Sequence, residues 1–129
     1  MSATDWARAA LQAFDDVVQS TEGFRGRDGQ RRMAAQVAQT FSAATLGKLE
    51  DGEEATRAIA VVQAGTGVGK SLAYSVPAIA MALARGTRVL VSTATVALQE
   101  QLVHKDLPAL AAKLPQPFQF ALAKGRGSY

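Results

Sequence analysis

Apolar positions in the first third of the chain recur at helical spacing. Trp6, Ala10, Ala13, Phe14 and Val17 fall on one stripe, which predicts an amphipathic helix over about residues 4–20 with Thr4 and Asp5 as its N-terminal cap. A breaker-rich stretch, Gly23-Phe24-Arg25-Gly26-Arg27-Asp28-Gly29, ends it. Met33, Val37 and Phe41, flanked by Ala34 and Ala38, then predict a second helix capped by Asp28. Residues 46–57, with Gly47, Gly52 and four acids, read as a loop.

The pattern changes at Ala58. Ala58-Ile59-Ala60-Val61-Val62 is a continuous apolar run ending in glycines, the pattern of a strand buried on both faces. A helix is expected from Lys70 to Arg85, stopped by Gly86 and bent by Pro77, whose missing N–H removes the bond to Ala73. Residues 87–92 predict a second buried strand. Thr93 or Thr95 then caps a third helix through Leu102, a turn at Asp106 and Pro108 precedes another short helix, and residues 118–123 predict a third strand. Strands alternating with helices over short connections predict an α/β fold with a parallel sheet, preceded by two helices. The division expected is 1–57, helical, and 58–129, nucleotide-binding.

The chemistry is concentrated in Ala64-Gly65-Thr66-Gly67-Val68-Gly69-Lys70-Ser71, which fits the phosphate-binding pattern G-x-x-x-x-G-K-[ST] except that alanine opens it. Between a strand and a helix, such a loop turns the backbone N–H groups of about Gly65 to Lys70 toward one concavity at the positive end of the helix. Lys70 is expected between the β- and γ-phosphates of a nucleotide, and the Ser71 hydroxyl is expected to ligate Mg²⁺. A glycine-rich turn with no ligand is the plain alternative.

Composition narrows the classes. The chain has 129 residues, 48% of them hydrophobic and 19% charged, and its mean hydropathy is +0.03, as for a folded soluble domain. There is no cysteine and one histidine, His104, so disulfides, thiolate zinc and iron–sulfur clusters have no ligands among these residues. Alanine, with 26 residues, leaves the bulky core to 12 Leu, 11 Val and 5 Phe. The beginning of the chain has neither a signal peptide nor a membrane span, and a cytoplasmic protein is expected. Basic residues outnumber acids by 7 to 2 in residues 65–129, whereas residues 1–64 carry 7 basic and 9 acidic side chains. That asymmetry suits a polyanionic partner, although a solvated surface explains it equally well.

Three stretches carry a resemblance. Residues Gly65 to Tyr74, Val91 to Gln101 and Lys105-Asp106-Leu107-Pro108 resemble the first motor domain of DinG-type DNA helicases, in the XPD-like branch of superfamily 2. Phe24, Arg27, Gln30 and Met33 are similar in spacing to the adenine-recognising segment of that family. Lys124-Gly125-Arg126-Gly127-Ser128-Tyr129 is similar to the segment that runs, in many members, into the first cysteine of an iron–sulfur domain. The resemblance covers residues 24–129. It implies an incomplete RecA-like P-loop NTPase domain that binds ATP, Mg²⁺ and single-stranded DNA and, in the full-length protein, couples hydrolysis to unwinding. An iron–sulfur cluster is implied only if the chain continues past Tyr129. No membrane is implied as a partner.

On that resemblance Arg27 and Gln30 lie at the adenine, and an amide can donate to and accept from the adenine edge at once. Residues Gly65, Thr66, Gly67, Val68, Gly69, Lys70 and Ser71 hold the phosphates and metal. Thr93, Thr95 and Gln99 lie where hydroxyls and N–H groups can hold DNA phosphates, with helix capping as the plain alternative. Lys124 and Arg126 are candidates to extend a basic track, and His104 is expected on the surface without a role. Gln63 stands where the family commonly has glutamate, and Gly26 and Gly29 where prolines are frequent. No D-E-x-H segment occurs, and an arginine finger, whose loss costs about 10³ to 10⁵ in rate, would have to come from a second motor domain. The chain is therefore expected to be the N-terminal piece of a longer helicase, inert alone as an ATPase. A truncated P-loop module without turnover, and a small P-loop kinase, are the alternatives. The kinase would need an arginine-bearing lid and a substrate acid that residues 93–117 do not offer.

Overall fold

A computed structural model describes residues 3–20, 28–45, 52, 55–63, 70–114 and 116–123. The chain divides into two compact units, Met1–Val89 and Leu90–Tyr129.

The first unit is built on three helices, each packed against the other two: α1 (Ala3–Ser20), α2 (Asp28–Ala43) and α3 (Lys70–Arg85). Helix α1 starts at Ala3, so Thr4 and Asp5 lie in its first turn, where Asp5 complements the helix dipole, rather than before it. It buries Ala10, Phe14 and Val17, as its stripe predicts. Helix α2 buries the flanking alanines of its apolar pattern and leaves the larger residues nearer the surface. Gln30, Ala34, Ala38 and Ser42 are inside, Met33 and Val37 are half-buried, and Phe41 is 40% exposed. Small side chains on the inner face let helices approach closely, and Ala10, Ala38 and Met81 meet in one cluster flanked by Trp6, Ala7 and Ala80. The alanine-rich composition thus serves helix-to-helix contact.

Helix α3 runs unbroken through the buried Pro77 and also buries Ala73, Ser75, Val76, Ala78 and Met81. It stops as expected. Gly86 has φ +66°, and the Thr87 N–H bonds back to the Ala82 carbonyl at 2.9 Å, the six-to-one bond of a glycine-terminated helix. Arg85, the last residue of α3, donates from Nη1 to the Phe41 carbonyl at 2.9 Å, and its guanidinium carbon lies 5.7 Å from the Trp6 ring centroid. Between α1 and α2, Arg31 makes a paired contact with Asp15 at 3.1 Å. The hydrogen bond and then the charge of Asp15 raise the Arg31 pKa further above its ordinary high value. Thr45 and Thr56 form an isolated antiparallel bridge through two 2.9 Å backbone bonds, closing the expected loop at its ends.

The second unit has one helical run in three parts: α4 (Val96–Gln101), a π-helical turn (Leu102–Asp106) and α5 (Leu107–Lys113). Leu102 and Leu110 are buried in it. The break expected at Asp106 and Pro108 is absent. A proline ring in an α-helix meets the carbonyl four residues earlier, here that of His104, and the wider π turn before Pro108 relieves that crowding. The Leu107 N–H accordingly bonds to the Leu102 carbonyl, five residues back.

The α/β expectation, an incomplete RecA-like domain with a parallel sheet, is overturned. Among the described residues there is no strand and no sheet, and the runs expected as strands, 58–62, 87–92 and 118–123, are not paired with one another. A strand exists only through its partner's backbone bonds, and an apolar run without a partner lies open. Ile59 is 86% exposed, Val61 96% and Leu90 91%. What the sequence expected as a pair of helices ahead of a sheet is instead a three-helix assembly in which the helix after the phosphate loop is the third member.

Candidate nucleotide-binding site

Lys70 and Ser71 are the first two residues of α3. Their helix is anchored along its length by the Ala73, Val76 and Met81 side chains in the bundle, so the first turn is the end of a rigid rod. No acid lies in that turn. Lys70 is exposed and Ser71 half-buried, so an ammonium and a hydroxyl stand at a helix N-terminus, whose free N–H groups favour an anion. Gly65, Thr66, Gly67, Val68 and Gly69 lie outside the described residues, as do Phe24, Arg27, Lys124 and Arg126.

Gln30 belongs to the same unit, in the first turn of α2. Its side chain is 1% exposed, one of the largest fully buried among the described residues.

Thr93, Thr95 and Gln99 belong to the second unit. Thr95 caps α4: its Oγ1 accepts from the Leu98 N–H at 3.2 Å, and the residue has the extended backbone of a cap. The Thr93 hydroxyl donates to the Thr95 carbonyl at 3.3 Å. Gln99 is half-buried, and its N–H bonds to the Thr95 carbonyl at 3.2 Å. Thr95 thus does the capping that the plain alternative assigns it, while remaining exposed. A threonine hydroxyl that accepts one bond still has its proton to donate. His104 is exposed, as expected, and its Nε2 lies 2.8 Å from Glu100 one turn earlier.

The residues fit a magnesium ion that arrives with its nucleotide. Among the described residues no group of three or more His, Asp or Glu side chains is gathered for a metal, and Mg²⁺ is commonly held by phosphate oxygens with few protein ligands, a role Ser71 suits. An iron–sulfur cluster does not fit, since the 129 residues contain no cysteine. Among the described residues no helix is long and apolar enough to cross a membrane.

Residue Arg85 was not singled out by the sequence, although a basic residue just before a helix-ending glycine is a recognisable signal for a carbonyl partner nearby.

Residues 30–116 match the DEAD/DEAH box helicase family. An ATP-dependent helicase DinG of Mycobacterium tuberculosis is 52% identical over 107 residues, covering 80% of this chain and 14% of the relative. An ATP-dependent DNA helicase DinG of Photobacterium profundum is 40% identical over 118 residues, 92% of this chain and 16% of the relative. A protein of the same name from Salmonella choleraesuis is 40% identical over the whole of this chain and 16% of its own length. The chain spans about one-seventh of the length of these curated relatives. No solved structure matches it. With the match covering Gln30, the phosphate loop and Thr93 to Gln99 together, the chain belongs to the DEAD/DEAH box helicase family.

Proposed function

We propose that this chain is the N-terminal part of an ATP-dependent DNA helicase that binds ATP with Mg²⁺ through Gly65–Ser71 and single-stranded DNA through Thr93, Thr95 and Gln99. Coupling of hydrolysis to unwinding belongs to the whole protein. The observation that carries the reading is the position of Lys70 and Ser71 at the start of a sixteen-residue helix, directly after the glycines of the phosphate loop.

The chain's own groups divide the work. Lys70 offsets phosphate charge as a mobile ammonium on an exposed stem, and the α3 N-terminus supplies N–H donors to the same anion. The Ser71 hydroxyl would hold Mg²⁺, which when bound would supply positive charge against the phosphates. Arg27 and Gln30 are assigned to the adenine-recognising segment, although the Gln30 side chain is 1% exposed and offers no amide edge to a ligand as the helices stand. Residues Thr93, Thr95 and Gln99 hold backbone phosphates and leave the bases unread, which suits a protein that must move over any sequence.

The test is binding of a fluorescent ATP analogue with Mg²⁺, measured for the protein and for Lys70→Ala. We expect loss of binding in the variant, with far-UV circular dichroism unchanged, because Lys70 is exposed. Undiminished binding by Lys70→Ala removes the phosphate-loop assignment.

A further inference from the structure

We propose that Pro108 is a positioning residue for the DNA-contacting end of the second unit's helical run, where it holds a one-residue insertion in place; the proposal rests on the DNA reading above. Five leucines, Leu98, Leu102, Leu107, Leu110 and Leu114, follow one another at intervals of four, five, three and four residues. Leu102 and Leu110 are 5% and 3% exposed, and the other three are half-buried. A straight α-helix does not carry that series on one side. At about 100° per residue, the step of five leaves Leu107 about 140° round from Leu102, whereas a step of four leaves about 40°. The π turn (Leu102–Asp106) takes up the extra residue. The Leu107 N–H bonds to the Leu102 carbonyl, so five residues close one turn here as about four do elsewhere, and the leucine stripe is continuous. Gln101 and Asp106, also five apart, keep the same register at the surface, with Gln101 Nε2 donating to Asp106 Oδ2 at 3.4 Å.

Pro108 keeps the turn wide. In an α-helix residue 108 would donate its N–H to the His104 carbonyl, and proline has neither the N–H nor room for that carbonyl. Alanine at 108 supplies the bond and removes the crowding, so the run returns to α geometry and α4 turns by about 100° against α5. Thr95 and Gln99 turn with it. The Thr95 Oγ1 accepts from the N–H of Leu98, the first leucine of the stripe, and the Gln99 N–H bonds to the Thr95 carbonyl. The insertion thus sets where these two side chains stand relative to the buried stripe. A deletion compensates for its loss. With His104 removed from the Pro108→Ala chain, the leucines are spaced four, four, three and four, which an ordinary α-helix aligns. His104 is exposed, so its removal takes nothing from the stripe.

The experiment compares the parent chain, Pro108→Ala, and Pro108→Ala with His104 deleted. Fluorescence anisotropy with a labelled oligothymidine gives affinity, and NMR scalar coupling across the hydrogen bond identifies the carbonyl that the Leu107 N–H bonds. We expect that carbonyl to be Leu102 in the parent and Val103 in Pro108→Ala, with affinity lower by about 10-fold or more in the variant. In the deletion variant the acceptor is Leu102 again, now four residues back, and affinity should return to within about 3-fold of the parent. A Leu107 N–H still bonded to Leu102 in Pro108→Ala overturns the proposal. So does parent-like affinity in that variant, or a deletion variant that binds as weakly. If Pro108→Ala does not fold, the deletion variant carries the test, and weak binding by it overturns the proposal. The two readings fail separately. A parent chain that does not bind oligothymidine, or that binds it equally after Thr95→Ala, defeats the DNA site and the positioning role with it, whereas Thr95-dependent binding indifferent to Pro108→Ala defeats the positioning role alone.

Discussion

Gly86 shows how one residue ends an element and what replacing it costs. Its φ of +66° is a left-handed conformation, and a Cβ added there would meet nothing within 4 Å. The penalty of Gly86→Ala therefore comes from its own backbone and not from surrounding groups, and we expect about 1–2 kcal/mol of lost stability, read from urea unfolding. No measurable loss would mean that α3 can end without a left-handed residue. Its role as a stop was legible in the sequence, because a lone glycine after a long apolar helix has few other uses. Gln30 was legible only as a residue type. Its third position in α2 gives no hint that the side chain turns inward, since burial depends on what the rest of the fold places against it. The same holds for Arg85, whose partners Trp6 and Phe41 are 79 and 44 residues away in sequence.

Elements were legible where their signal is local. Helix α1 declares itself through Trp6, Ala10, Phe14 and Val17, and α3 through a run of helix formers ending in glycine. Helix α2 was found from Met33, Val37 and Phe41 with Ala34 and Ala38, and of these the alanines are the buried ones, because tight packing selects small side chains. The apolar runs at 58–62 and 87–92 have the composition of strands, yet a strand is a property of a pair, and neither run contains its partner. The π turn was invisible for a related reason: Pro108 reads as a breaker until the widened turn ahead of it is seen. At α4 the cap itself is testable. Thr95→Ala removes the bond to the Leu98 N–H and should cost about 1 kcal/mol of helix stability, whereas Thr95→Ser keeps it. Single-stranded DNA affinity should fall in the alanine variant uniformly across sequences, recover with serine, and weaken with salt throughout. Equal affinity for alanine and threonine would take Thr95 out of the DNA site.

Across the whole molecule, apolar surface is unevenly distributed. Ile59, Val61 and Leu90 lie open while the helices bury alanine and a few large side chains. Exposed β-branched runs offer backbone and apolar surface to other chains, so self-association should begin there. Val61→Lys and Leu90→Lys should lower light scattering on warming and leave the melting temperature of the helices unchanged, since these positions are 96% and 91% exposed. A fall in melting temperature would show that these runs support the bundle. The family was legible from three stretches taken together, Gly65 to Tyr74, Val91 to Gln101 and Lys105 to Pro108, all within the residues that match it. The fold class was not, because sheet architecture depends on contacts between distant segments.

The bridge between Thr45 and Thr56 has an evolutionary meaning. Two backbone bonds hold the entry and exit of the intervening segment together, so the length of that segment is decoupled from the helices on either side. Closing a loop twice as long costs only about 0.6 kcal/mol more. Insertions and deletions between these two threonines are the changes a lineage could accumulate without disturbing the helix that carries Lys70.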